Sequence, residues 1–237
     1  DRGMRLAFRE WGRPGGPGMV LLHGLTSDGS SFDGVVPALA ERWRVLVPDQ
    51  RGHGVTGPAD EYSFELLAED LGEFVEAQGL VRPVVVGHSM GAVAAYLYAA
   101  RRPERIGALV LVESPPPFAQ QRPVPERPEG ALGYDWRARV ELVGQVNAPG
   151  QGWFEELAKI RVPTLVIGGG PTSPFPQGQM RAMAGQVPGG RFCEIAVGHG
   201  VHREAPHEFV ALLTEFLAGG DDGEVAGGAD VRGGEAG

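Results

Sequence analysis

Residues 84–101 read V-V-V-G-H-S-M-G-A-V-A-A-Y-L-Y-A-A-R. The stretch opens as a short apolar run rich in β-branched residues, the pattern of a buried strand, and closes with apolar residues at helical spacing. Between the two halves, Gly87-His88-Ser89-Met90-Gly91 matches G-x-S-x-G. A strand that turns directly into a helix holds its middle residue in a strained backbone conformation, and a side chain two positions to either side would clash. Ser89 would then project beyond the sheet at the positive end of the following helix. G-x-S-x-G by itself is a weak signal, compatible with a Gly-rich turn holding an incidental serine. The strand before it and the helix after it supply the context that gives the motif chemical meaning.

With that motif in that setting, the chain resembles the α/β-hydrolase superfamily over residues 4–217. The resemblance implies a mostly parallel sheet with helices on both faces, and a nucleophile, acid and histidine following one another in chain order. Alternation of strands and helices along the sequence points to the same parallel α/β class. Strands are expected at 5–11, 19–22, 43–47, from 84 up to the Gly87–Gly91 motif, and at 106–112, 163–167 and 191–197. Helices are expected at 32–41, at 64–78 with Ser63 as N-cap and Gly79 as terminator, after Ser89, and from Pro206 to about 217. No internal repeat is visible.

Composition sets bounds on function. A chain of 237 residues and 25.1 kDa suits one α/β domain with a small insertion. The net charge of −9 argues against nucleic acid or an anionic membrane as partner. A single cysteine, Cys193, excludes a disulfide framework and a multi-cysteine metal site, and its apolar neighbourhood suggests a small buried side chain. The sequence shows neither a signal peptide nor a membrane-spanning run. A soluble, cytoplasmic protein is expected, with its start upstream because Asp1 is not an initiator. Neither a metal nor an organic cofactor is indicated.

His23-Gly24-Leu25 follows the second strand. By resemblance, the backbone N–H groups of Leu25 and Met90 form an oxyanion hole, Gly24 and Leu25 border the substrate, and His23 packs beneath the loop. Asp49-Gln50-Arg51-Gly52-His53-Gly54 looks catalytic by composition. The family's D-x-R-G-x-G loop is instead a brace for the strand-to-loop bend.

Most of the family carries the triad aspartate after the next-to-last strand, but this chain has no Asp or Glu between Arg161 and Arg191. Glu113 stands one strand earlier, where burial of an unpaired carboxylate would be costly. Certain haloalkane dehalogenases and the zearalenone-type lactonases take a glutamate from that position, at a similar spacing from the nucleophile. Glu113 is therefore the expected triad acid; the competing reading pairs it with an arginine at the base of a cap. His199, in Gly198-His199-Gly200 after the last strand, takes the role of base, with His202 as nearby rival.

Residues 114–156 are too long for an ordinary connection and match the family's cap. The segment is Pro-rich at first and then supplies Tyr134, Trp136, Trp153 and Phe154. Trp136 and Trp153 are expected to meet an apolar substrate. The expected division is a core of 1–113 and 157–217, a cap of 114–156, and a disordered tail of 218–237 rich in Gly, Asp, Glu and Ala.

Together these residues describe a serine hydrolase of a small-molecule ester or lactone. Ser89 attacks the carbonyl, His199 moves the proton, Glu113 orients the imidazole, and water releases the acyl group. A serine at the nucleophile position excludes the carboxylate chemistry of dehalogenases and epoxide hydrolases. Thioester or acyl transfer, C–C cleavage, cofactor-free perhydrolysis and lyase chemistry share the scaffold, as would a non-catalytic binding protein. The sequence leaves the oligomeric state open.

Overall fold

A computed structural model describes residues 4–123 and 126–219. Seven strands follow in order: β1 (Phe8–Trp11), β2 (Gly18–Leu22), β3 (Arg44–Pro48), β4 (Val84–His88), β5 (Ala108–Val112), β6 (Thr164–Gly168) and β7 (Arg191–Glu194). They form one sheet in the order β1-β3-β2-β4-β5-β6-β7, with β1 antiparallel and every other pairing parallel. The inner strands read M-V-L-L, V-L-V, V-V-V and A-L-V-L-V because both of their faces are covered. Only the two edge strands, β1 and β7, leave residues exposed.

Side chains alternate between two apolar layers. Val20, Leu22, Leu46 and Val85 face helices α2 (Phe64–Ala77) and α3 (Met90–Arg101). Met19, Leu21, Val45, Val47 and Val86 face Phe32 and the helix α8 (Pro206–Ala218). The Ala-rich helix α3 is buried from Met90 through Ala100, and its small side chains let it lie close against the sheet. Its N-terminus emerges at the carboxyl end of β4, beside the loop that leaves β2. Strand order reverses between those two strands, the usual location of a ligand crevice in an open parallel sheet.

Some expected elements shift. The helix expected at 32–41 is a 3-10 turn (Gly29–Phe32) followed by one α turn, α1 (Val36–Leu39). Gly34 and Pro37 explain the break, since glycine is a poor helix former and proline fits only the first turn. Between β5 and β6 lie α4 (Trp136–Asn147), the single turn α5 (Trp153–Glu156) and a 3-10 turn (Leu157–Lys159). After β6 come α6 (Gln177–Gln186) and the short α7 (Val201–Glu204). Cys193 is half-buried on β7. The expected tail loses its first residue to α8, and from 220 on it lies outside the described residues.

Candidate active site

The turn from β4 into α3 has the strain its sequence implies. Ser89 sits at φ 52°, ψ −114°, a conformation that non-glycine residues seldom adopt. A methyl group on Gly87 would come within 2.4 Å of the Gly91 carbonyl oxygen, and one on Gly91 within 2.5 Å of the Leu22 carbonyl oxygen. The Ser89 N–H donates to the Val112 carbonyl (2.9 Å) and the Gly91 N–H to that of His23 (3.2 Å), fixing the turn between β2 and β5. The amides of Thr26, Ser27, Gly91 and Ala92 all have protein acceptors. Those of Leu25 and Met90 have none among the described residues.

Glu113 is fully buried at the end of β5 and also has positive φ, 48°. Its Oε2 lies 3.1 Å from His199 Nδ1 and accepts the Ser173 hydroxyl at 2.6 Å, while Oε1 accepts the Gly169 N–H. Ser173 is held in turn by the Phe175 N–H (3.0 Å). Among the described residues Glu113 pairs with no arginine. A methyl group on Gly169 would fall 2.9 Å from Glu113 Oε1 and 2.1 Å from the Gly198 carbonyl oxygen. Position 169, in the loop where most of the family has its acid, thus has room only for backbone, and the carboxylate of the neighbouring strand lies against it.

His88 anchors the far side of the histidine loop, with Nε2–H directed at the His199 carbonyl (2.8 Å). Burial, reinforced by the neighbouring His202 and His199 rings, holds His88 well below the usual histidine range. His202 does not face the site. It is buried, stacks on Phe32 at 4.5 Å and meets the His88 ring edge-on at 4.6 Å. Among the described residues neither of its ring nitrogens has a hydrogen-bond partner. Burial first, then Arg203 and His199, push its pKa down to about 3.

The D-x-R-G-x-G loop holds backbone together. Asp49 accepts the N–H groups of Gly29 (2.8 Å) and Val55 (2.9 Å), and Arg51 makes a two-pronged ion pair with buried Asp70. His53 Nε2 accepts the Thr26 N–H (3.3 Å), next door to Leu25. His23 accepts the Gln50 N–H on Nε2 (2.9 Å), while Gln50 returns a bond to the His23 carbonyl (2.7 Å). Burial, then His53, pull His23 down to about 4, so it stands neutral.

Ser89, Met90, Leu25 and His199 meet in one cavity of about 260 Å³. Its remaining wall comes from Phe64, Phe175 and the α4 residues Leu142, Val143 and Val146, together with Arg122 and Arg139. Ser89 and His199 share this space without a direct hydrogen bond. Gly24 packs beneath it, close to the Ser89 Cβ and the His88 ring. The two tryptophans expected to meet substrate do not line the cavity. Trp153 is buried edge-on against Phe64 (5.8 Å) with its N–H on Glu65 (3.1 Å), and Trp136 lies beneath the Arg139 guanidinium (5.9 Å). The two arginines gave no sequence signal, because nothing in their spacing marks them off from a charged surface. Among the described residues no group of three or more His, Cys, Asp or Glu side chains is disposed to hold a metal ion. No described helix is long and apolar enough to cross a membrane.

A family model described as the alpha/beta hydrolase fold matches residues 17–135. The mouse sn-1-specific diacylglycerol lipase ABHD11 is 25% identical over 85% of this chain and 81% of its own. Pyrrolizixenacetamide deacetylase of Xenorhabdus hominickii is 27% identical over 87% of this chain and 92% of its own. Among solved structures, a hydrolase from Pseudomonas aeruginosa PA01 superposes with a TM-score of 0.76 at 25% identity, over 90% of this chain and 94% of that one. The enol-lactonase from Burkholderia xenovorans LB400 shares the fold at a TM-score of 0.78 and 24% identity, over 90% and 96% of the two chains.

Proposed function

The chain belongs to the alpha/beta hydrolase fold family, and on that premise we propose that it cleaves a carboxylic ester or lactone through an acyl group carried on Ser89. The observation that supports this reading most is the 3.1 Å contact from Glu113 to His199, in a cavity that also holds Ser89 and the Leu25 and Met90 amides. Relatives named as a lipase, a lactonase and esterases fit the same chemistry.

In this mechanism the substrate carbonyl lies between Ser89 Oγ and the two unpartnered amides. His199 Nε2 takes the hydroxyl proton as Oγ attacks, and the Leu25 and Met90 N–H groups receive the charge that builds on oxygen. Glu113, seated on the Gly169 amide and the Ser173 hydroxyl, keeps the Nδ1–H tautomer of His199 and steadies the imidazolium. His199 then protonates the leaving oxygen and later activates the water that frees the acyl product. An elbow serine and its histidine commonly close their hydrogen bond only once substrate is present. The segment 114–156 acts as the cap, since α4 supplies one wall of the cavity. Its Leu142, Val143 and Val146 receive the apolar body of the substrate.

A screen of esters, lactones and thioesters with product identification tests the reading. Turnover of an ester or lactone should disappear in Ser89→Ala protein that retains its circular dichroism spectrum. Undiminished turnover in that variant would remove Ser89 from the mechanism.

A further inference from the structure

Two arginines line the cavity, and among the described residues no carboxylate pairs with either. Arg122 enters from the loop after β5, and its backbone is pinned on both sides by Asn147: the Arg122 N–H donates to Oδ1 and the Arg122 carbonyl accepts from Nδ2, each at 2.8 Å. Its guanidinium lies 4.8 Å from the Phe175 ring centre, and that ring meets His199 edge-on at 5.5 Å. Arg139, on α4, has a buried Nε without an acceptor. Elsewhere Arg44, Arg51, Arg101 and Arg105 all reach carboxylates. Among the described residues neither cavity arginine does, and no Asp or Glu lines the cavity, although the chain carries 30 acidic residues. Burial first, and then Arg139, pull Arg122 below the ordinary arginine range.

Both side chains are half-buried, and holding two guanidinium groups on one cavity wall is unfavourable unless an anion joins them. We propose that Arg122 and Arg139 form an anion subsite, so that the substrate is an ester or lactone with an apolar middle and a terminal carboxylate or phosphate. This rests on the serine-hydrolase reading and narrows it. Planar forks of donors suit either oxyanion, and Phe175 and Trp136 hold the two guanidinium planes ready for it. The anionic end would occupy the side of the cavity bounded by the arginines, leaving the scissile carbonyl to Ser89.

Three phenyl esters of matched length separate the outcomes: phenyl hexanoate, monophenyl adipate and phenyl 5-(phosphonooxy)pentanoate. The anionic esters should exceed phenyl hexanoate in kcat/KM by about ten- to a hundredfold, the size of one or two charge-assisted hydrogen bonds. Whichever anionic ester leads identifies the group. In Arg122→Gln/Arg139→Gln that ratio should fall towards one, and in wild type it should shrink as salt rises to about 0.5 M. A wild-type ratio of one or below overturns the subsite without needing any variant. If none of the esters is cleaved, the serine-hydrolase reading is in question, and calorimetry on wild-type protein with adipate and with glycerol phosphate decides the subsite by itself. Binding that weakens with salt and in Arg122→Lys/Arg139→Lys supports it, whereas no binding of either anion overturns it.

Discussion

Replacing Glu113 by glutamine exchanges one carboxylate oxygen for an NH2 group and should disable the enzyme while leaving its fold in place. The seat dictates which way the amide turns. Oε1 accepts the Gly169 N–H, so the glutamine oxygen must occupy that position, because an NH2 there would oppose one donor with another. The NH2 group then points at His199 Nδ1, where the carboxylate Oε2 stood at 3.1 Å. Nδ1 must now accept, which moves the ring proton to Nε2 and leaves nothing to take the proton from Ser89. In the serine-protease case, the corresponding acid-to-amide change costs about ten-thousandfold in kcat. That factor corresponds to about 5.5 kcal/mol of barrier. Stability should change by less than about 1 kcal/mol, since volume is conserved and Ser173 can turn its hydroxyl to accept from the new NH2. The assay is kcat on the best ester from the substrate screen, beside a urea unfolding curve for each protein. A Glu113→Gln enzyme within tenfold of wild type, unfolding at the wild-type midpoint, would refute the assignment of Glu113 as the orienting acid.

Three further outcomes follow from buried histidines and from the elbow. His23 and His202 have folded-state pKa values pushed down to about 4 and about 3, and His88 is also held well below normal. The unfolded chain therefore binds more protons below about pH 6.5, so stability is complete above that pH and falls on acidification at up to ~1.4 kcal/mol per pH unit for each histidine; equal urea midpoints at pH 7.5 and 5.0 would contradict this. His202→Phe removes two unpartnered ring nitrogens and keeps the stack on Phe32, so it should stabilise by about 1 kcal/mol at pH 7.5 and reduce the acid slope by one histidine's share. Activity should persist in His202→Phe and vanish in His199→Ala. Gly91→Ala drives a methyl group into the Leu22 backbone and should cost about 2–3 kcal/mol, read as a lower melting temperature; an unchanged melting temperature would show that the elbow can relax.

The sheet was legible because its inner strands are buried on both faces and carry unbroken β-branched runs. Ser89 was legible because it follows such a run closely, and His199 because it stands in the Gly-His-Gly loop after the last strand. Glu113 was singled out by an absence, the missing carboxylate after β6, and the structure sets it 3.1 Å from His199 Nδ1. The structure adds that position 169 has no room for a side chain. Trp136 and Trp153 went astray because a count of aromatics says which segment covers a site but not which way an indole turns. On α4 the cavity face falls to Leu142, Val143 and Val146, and Trp136 lies off that face. Arg122 and Arg139 stayed hidden for a related reason. A net charge of −9 describes the whole surface and is silent about a pocket where the local sign is reversed. The helix expected at 32–41 shows how an apolar rhythm can be overruled by one glycine and one proline.

The seat of Glu113 also bears on how such a chain can change over generations. The ends of β5 and β6 lie side by side, and a carboxylate from either could serve the same histidine. At position 169 the two exclude one another, because the ground a side chain there would need is taken by Glu113 and by the Gly198 backbone. A lineage that moved the acid to position 169 could not keep both in an intermediate. It would pass through a sequence with neither acid in working position, or through a rebuilt histidine loop. Single substitutions thus face a fitness valley, and Glu113 and Gly169 are expected to be inherited as a pair.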